Sequence, residues 1–260
     1  MITTSQRKKI GIIDSGIGGL SLIRQLINYD IDIYYFADTK NMPYGDKSSA
    51  ELLVLSMHMV DTIEYHGITE IIIGCFTLCA TVYAQLVTLY PHIHFIEIIS
   101  PVVSQSIALT QNNRILVLST PATVISGIFR KKFEKYSHIT IIEKACPTLA
   151  KIIENNHFND LLIQNTIDSI YKEICLITPH PNVIILGCTH YTFIETTFSD
   201  HFNKKISFVY AQIPSNILEK QNAGQSNVYY FVSGNQNSFH QKLHKILPKC
   251  FTYNLPIITI

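Results

Sequence analysis

Residues 184–192 read IILGCTHYT, and residues 71–79 read IIIGCFTLC. Each stretch begins as an apolar, β-branched run, reaches a glycine and then presents a thiol. Because the runs are apolar throughout instead of alternating, they fit strands covered on both faces, as in a parallel sheet. The same texture recurs in KIGIID, IDIYYFAD, EIIIG, IHFIEII, RILVLS, ITIIEKA, VIILG, ISFVY and VYYFVS, with a helical candidate after each. LSLIRQLI, the segment from about 46 to 64 and TLCATVYAQLV supply the first three such helices. Alternation of this kind predicts an α/β fold.

The repeated glycine–cysteine junction is the echo that two similar α/β lobes would leave, with facing strand ends lining a crevice between them. The apolar run IHFIEII stops before Ser100-Pro101, which places a boundary there. One lobe then comprises residues 1–100 together with a returning segment, 211–260, and the other comprises residues 101–210.

At 260 residues the chain is long enough for one or two cores. It is 47% hydrophobic and only 15% charged, which predicts a folded globular protein without long disorder. A formal net charge of +1, with no basic block, argues against a nucleic-acid groove or an anionic membrane surface, so the expected partner is small. The apolar stretch near the N-terminus ends at Asp14, too soon for a signal segment, and no run approaches the length of a membrane span. A cytoplasmic location and reduced cysteines follow as expectations.

Four stretches carry chemistry. In IDSGIGGLSL (13–22), three glycines between a strand and a helix let backbone amides approach an anion. Ser21 stands where a dinucleotide fingerprint needs its last glycine, and no GK[ST] follows for a phosphate loop. Asp14 and Ser15 lie at the strand's C-terminal end, where α/β proteins put their reactive groups. In ADTKNMPYG (37–45), Pro43 and Gly45 bracket Tyr44 in a turn suited to a polar ligand. At the two thiols, Cys75 and Cys188, a helix starting just beyond would favour thiolate. Thr77 and Thr189 offer hydroxyls beside them, and His190 is near enough to take a proton from Cys188. The spacing Cys75-x3-Cys79 is poor for zinc, Cys79 falls one turn inside a helix, and no CxxC pair exists for disulfide exchange. No metal and no cofactor is expected.

A carbon acid held between two opposed thiols can lose its proton to one and regain it from the other on the opposite face, which inverts the stereocentre. Thiols suit this because their pKa can be tuned so that one waits as base and the other as acid. Amides and hydroxyls around the carboxylate would stabilise the developing carbanion.

DSGIGGLS, ADTKNMPYG, the GC-x-T junction at Cys75 and LGCTHYT, in this order, resemble the glutamate racemase family of the cofactor-independent aspartate/glutamate racemases; SGNQNSFHQKLHKIL extends the likeness toward the end of the chain. The resemblance implies two pseudosymmetric lobes, each a mainly parallel sheet flanked by helices, with the active site in the cleft. It further implies a homodimer and the interconversion of L- and D-glutamate for peptidoglycan synthesis. By the matching motifs, Cys75 would exchange the α-proton with D-glutamate and Cys188 with L-glutamate, assisted by Asp14 and His190 respectively. Asp14, Ser15, Tyr44, Gly45, Phe76, Thr77, Thr189 and His190 would form the substrate site, and Glu154 in CPTLAKIIE resembles a further acid near the cleft. The chain departs from the family at Phe76, where Asn is usual, at Cys79, where a small residue such as Ser is usual, and at Thr192, where Pro is usual. Phe76 opens two alternatives: a racemase for another amino acid such as aspartate, or a weakly catalytic ligand-binding relative.

Overall fold

The computed structural model describes residues 7–155, 161–202, 206–219 and 222–247, and the backbone of 257–259. In chain order, β1 (Lys8–Asp14), α1 (Leu20–Leu26), β2 (Ile31–Ala37), α2 (Ser49–Tyr65) and β3 (Glu70–Ile73) come first. The short helices α3 (Phe76–Thr81) and α4 (Tyr83–Leu89) lead to β4 (His94–Ile96) and α5 (Ile99–Leu109). Next are β5 (Arg114–Ser119), α6 (Pro121–Ser126), α7 (Ile128–Phe133), β6 (Thr140–Ala145), α8 (Leu149–Asn155), α9 (Leu161–Cys175) and β7 (Val183–Gly187). A 3-10 helix (Thr189–Ile194), α10 (Glu195–His201), β8 (Ser207–Val209), α11 (Ser215–Leu218), β9 (Asn227–Val232), α12 (Gln236–Ile246) and β10 (Ile257–Thr259) complete the order.

The strands form two sheets, ordered β10-β9-β2-β1-β3-β4 and β6-β5-β7-β8. Every pairing between these strands is parallel. The nine apolar runs of the sequence are nine of these strands, and β10 is a tenth that no pattern announced. In the larger sheet the chain winds from β1 outward to β2 on one side and to β3 on the other; in the smaller it does the same from β5 to β6 and β7. The two switch points are therefore equivalent. Crevices of α/β proteins open at such places, beyond the C-terminal strand ends.

Local chemistry explains the helix boundaries. Ser48 and Glu51 form a reciprocal capping box that starts α2. Thr120 caps α6, with Pro121 in its first turn, and the left-handed Gly127 (φ 66°) ends it. The single helix expected over TLCATVYAQLV bends at Val82, whose φ of −127° separates α3 from α4 while the backbone bonds of Val82 and Leu86 continue on either side. Ser100 and Pro101, expected as a boundary, lie in the first turn of α5, a helix that packs on β7 and β8. The chain thus crosses from one sheet to the other inside a packed helix and not through a linker.

Burial follows the two-residue period even in strands without polar alternation. Ile115 and Val117 join the core that fills the larger sheet, whereas Leu116 and Leu118 join a second core with Ile153, Ile184, Leu186, Tyr191 and Phe198. Both faces of the smaller sheet are covered at its centre, where β5 and β7 are buried and apolar; the edge strands β6 and β8 are half-buried and carry polar residues. Among the described residues, no helix is long and apolar enough to cross a membrane.

Candidate active site

The C-terminal ends of β1, β3, β5 and β7 meet across the crevice. There Ser15, Tyr44, Gly45, Cys75, Phe76 and Thr77 from one side and Thr120, Cys188, Thr189 and His190 from the other line a single cavity. Its volume is about 20 Å³, room for about one water molecule. The site is closed in this conformation. Nine of the ten residues read from the sequence line it; the tenth, Asp14, lies directly behind, fully buried.

Asp14 accepts a hydrogen bond from the Gly16 amide at 2.7 Å and another from the Thr189 hydroxyl at 3.2 Å, so it ties the two sheets together. Burial pushes its carboxyl up to about 7, partly offset by the nearby imidazole of His190. Ser15 lies 4.0 Å from the Cys75 sulfur. The Cys75 thiol is pushed up to about 12, first by burial and then by the charge of Asp14, although the amides of Leu78 and Thr77 at the start of α3 act the other way. At Cys75 the amides at the start of α3 favour thiolate, as expected, but desolvation outweighs them. The relation between Asp14 and Cys75 is electrostatic; the carboxylate spends its hydrogen bonds on Gly16 and Thr189.

On the opposite side the Cys188 sulfur is 3.8 Å from Nδ1 of His190, and Nε2 of His190 is 2.8 Å from Glu154. Burial alone would lower the imidazole pKa, but the bonds to Cys188 and Glu154 carry it well above the usual histidine range. Glu154, although buried, is held down at about 2: burial opposes ionisation, and His190, Lys242 and the Ile17 amide outweigh it. The two thiols therefore have different neighbours, a carboxyl for Cys75 and an imidazole for Cys188.

Glycines let the loop after β1 pass this close. A Cβ on Gly18 would lie 2.3 Å from the Thr189 hydroxyl and 2.7 Å from Nδ1 of His190, and one on Gly16 would lie 2.5 Å from Glu154. A larger residue at either position would push these site side chains aside. Gly45 is fixed by its carbonyl, which accepts from the Ala122 amide at 3.0 Å. Tyr44 is fixed by its hydroxyl, which donates to Asp38, and Asp38 also accepts from Asn41 and Ser233.

Phe76 lines the cavity and packs on Phe129, with centroids 6.3 Å apart. Cys79 faces the core, its sulfur 3.3 Å from the Ile73 carbonyl. Among the described residues, no three His, Cys, Asp or Glu side chains converge as a metal site. Sequence reasoning missed Thr120, which bridges Thr77 at 2.9 Å and Thr123 at 3.0 Å across the crevice. Its signal was available, since Thr120 precedes Pro121 at the end of β5, the counterpart of Ser15 after β1. Asp38 and Lys242 fall within ADTKNMPYG and SGNQNSFHQKLHKIL, but neither was singled out there.

A family model, Asp/Glu/Hydantoin racemase, matches residues 31–211. The chain is 32% identical over 188 residues to a glutamate racemase of Persephonella marina, covering 72% of this chain and 71% of the other. It is 33% identical over 196 residues to a glutamate racemase of Herpetosiphon aurantiacus, with 74% and 75% covered. In fold it is similar to the glutamate racemase isoform RacE1 of Bacillus anthracis, with a TM-score of 0.86, 23% identity and 97% and 98% of the chains covered.

Proposed function

We propose, from the premise that this chain belongs to the Asp/Glu/hydantoin racemase family, that it interconverts L- and D-glutamate by proton transfer between Cys75 and Cys188. The protein is an amino-acid racemase. The observation that carries the two-thiol reading is that Cys75 and Cys188, from equivalent strand ends of the two sheets, line the same cavity.

With L-glutamate between the thiols, Cys188 as thiolate removes the α-proton, its own proton having passed to Nδ1 of His190. The substrate carboxylate lies among the hydroxyls of Ser15, Thr77, Thr120 and Thr189, and nearby backbone amides meet the charge that develops as Cα becomes planar. Cys75, kept protonated by burial and by Asp14, returns a proton to the opposite face to give D-glutamate. The reverse reaction exchanges the roles, with Asp14 assisting Cys75 through its charge. A cavity of about 20 Å³ leaves no room for an amino acid, so the lobes part to admit substrate and close to exclude water.

The same reading assigns residues 1–100 with 211–260 to one lobe and 101–210 to the other. It also includes a homodimeric, cytoplasmic enzyme that supplies D-glutamate for peptidoglycan synthesis; light scattering on the purified protein tests the dimer. For the chemistry, purified protein is incubated with L- or D-glutamate in D₂O without added cofactor. Deuterium at Cα of the product enantiomer supports the proposal. Absence of exchange from both enantiomers refutes it.

A further inference from the structure

We propose that Lys242, on α12, is a positioning residue for the Cys188 half of the site: it holds Glu154 as a carboxylate so that His190 presents the correct nitrogen to the thiol. The inference rests on the two-thiol reading above.

The geometry is a chain of contacts. Lys242 Nζ is 3.0 Å from one oxygen of Glu154, and the other oxygen is 2.8 Å from Nε2 of His190 and accepts from the Ile17 amide at 3.1 Å. Nδ1 of His190 then lies 3.8 Å from the Cys188 sulfur. Glu154 and His190 are both buried, whereas the Lys242 side chain keeps 22% of its surface. Helix α12 packs on α1 and sets Phe239 against Tyr35 and Tyr230, so Lys242 reaches from the larger sheet's helices to α8 beside the smaller sheet. The other groups facing Glu154 are Asp14 and Tyr35, whose pKa values its charge raises.

The proton between Glu154 and His190 can rest on either partner. With Glu154 ionised, the imidazole keeps a proton on Nε2 and leaves Nδ1 free to accept one from Cys188. With Glu154 protonated, the carboxyl donates to Nε2, the neutral imidazole carries its proton on Nδ1, and that nitrogen can no longer accept from the thiol. The Lys242 ammonium touches the carboxylate and lies beyond it from the imidazole. Its attraction to Glu154 therefore exceeds its repulsion of a protonated His190, and the net effect favours the ionised carboxylate. Asp14 differs: its hydrogen bonds come from neutral donors, the Gly16 amide and the Thr189 hydroxyl, and the positive charge that acts on it is the His190 imidazole.

The test replaces Lys242 with Met, which keeps the stem, and with Arg, which keeps the charge. In K242M, burial is opposed only by His190 and the Ile17 amide, so the Glu154 pKa rises and the acid limb of the pH profile of kcat/KM moves upward. Activity at the foot of that limb falls about tenfold. The enantiomers are isoenergetic, so kcat/KM falls equally in both directions. K242R restores the wild-type profile, and K242M added to E154Q changes nothing further. A wild-type profile in K242M, or a full additional loss when K242M is placed on E154Q, overturns the proposal. Imidazole ¹⁵N spectra of His190 supply a readout independent of turnover: both nitrogens are protonated in the wild type, and Nε2 loses its proton in K242M at low pH as the Glu154 carboxyl takes it. An unchanged protonation state also overturns it. If wild-type protein fails to exchange glutamate while the spectra shift as described, the functional reading fails and the role of Lys242 stands.

Discussion

Replacing Asp14 with Asn is expected to stabilise the protein above neutral pH while slowing catalysis. Burial raises this carboxyl from 3.8 to about 7, which at about 1.4 kcal/mol per unit comes to about 4 kcal/mol. For a carboxyl whose folded pKa is raised, the folded state binds more protons than the unfolded chain between the two values. Stability therefore falls as pH climbs from 3.8 to about 7 and stays reduced above. Asn removes the ionisation but keeps an oxygen for the Gly16 amide, and its NH₂ can turn to the Thr189 oxygen. Denaturant unfolding of wild type and D14N at pH 4 and pH 8 measures the difference directly. We expect near-equal stability at the lower pH and a gain of about 2–4 kcal/mol for D14N at the higher, after allowing for relaxation around the charge. The variant's racemization falls in both directions, because Cys75 loses the neighbouring carboxyl that tunes its proton affinity. A stability difference that is the same at both pH values would refute the argument that Asp14 is a costly buried acid kept for function.

Cys75→Ser and Cys188→Ser are each expected to reduce racemization at least about a thousandfold, the upper part of the range for losing a general acid or base; assays in both directions with folded protein check this. Phe76→Asn removes a buried ring from Phe129, lowering the melting temperature, but puts an amide in the cavity; the KM for glutamate should drop about tenfold if the position touches substrate. An unchanged KM would place the substrate away from residue 76. Gly18→Ala forces Thr189 and His190 aside and should cost more than about tenfold in kcat/KM. Gly67→Ala, at φ 72° with open space around it, should cost about 1 kcal/mol of stability and leave kinetics alone.

The runs were legible because central strands covered on both faces are almost wholly apolar and the edge strands stay rich in β-branched and aromatic residues, and all nine became strands. Strand β10 was not, since its pairing with β9 depends on where the chain returns. The helix over 77–87 was readable as helix, but the bend at Val82 was not. Motif order found Cys75, Cys188, Asp14 and His190, all of which sit at strand ends where short-range sequence dictates position. Asp38 and Lys242 lie within quoted motifs, but their roles were not legible, because each acts through a partner across a turn or distant in the chain: Asp38 holds Tyr44, and Lys242 meets Glu154 from a different helix.

The amino-acid sequence by itself determined the α/β class, the two glycine–cysteine junctions and the kinds of group that could gather there, because strand burial and turn chemistry are local. Only tertiary structure decided which groups face one another. The carboxyl beside Cys75 and the imidazole beside Cys188 receive their proton affinities from burial and from partners on other elements, Glu154 and Lys242 among them. Desolvation and charge coupling depend on distance in space, and a one-dimensional pattern does not contain that distance.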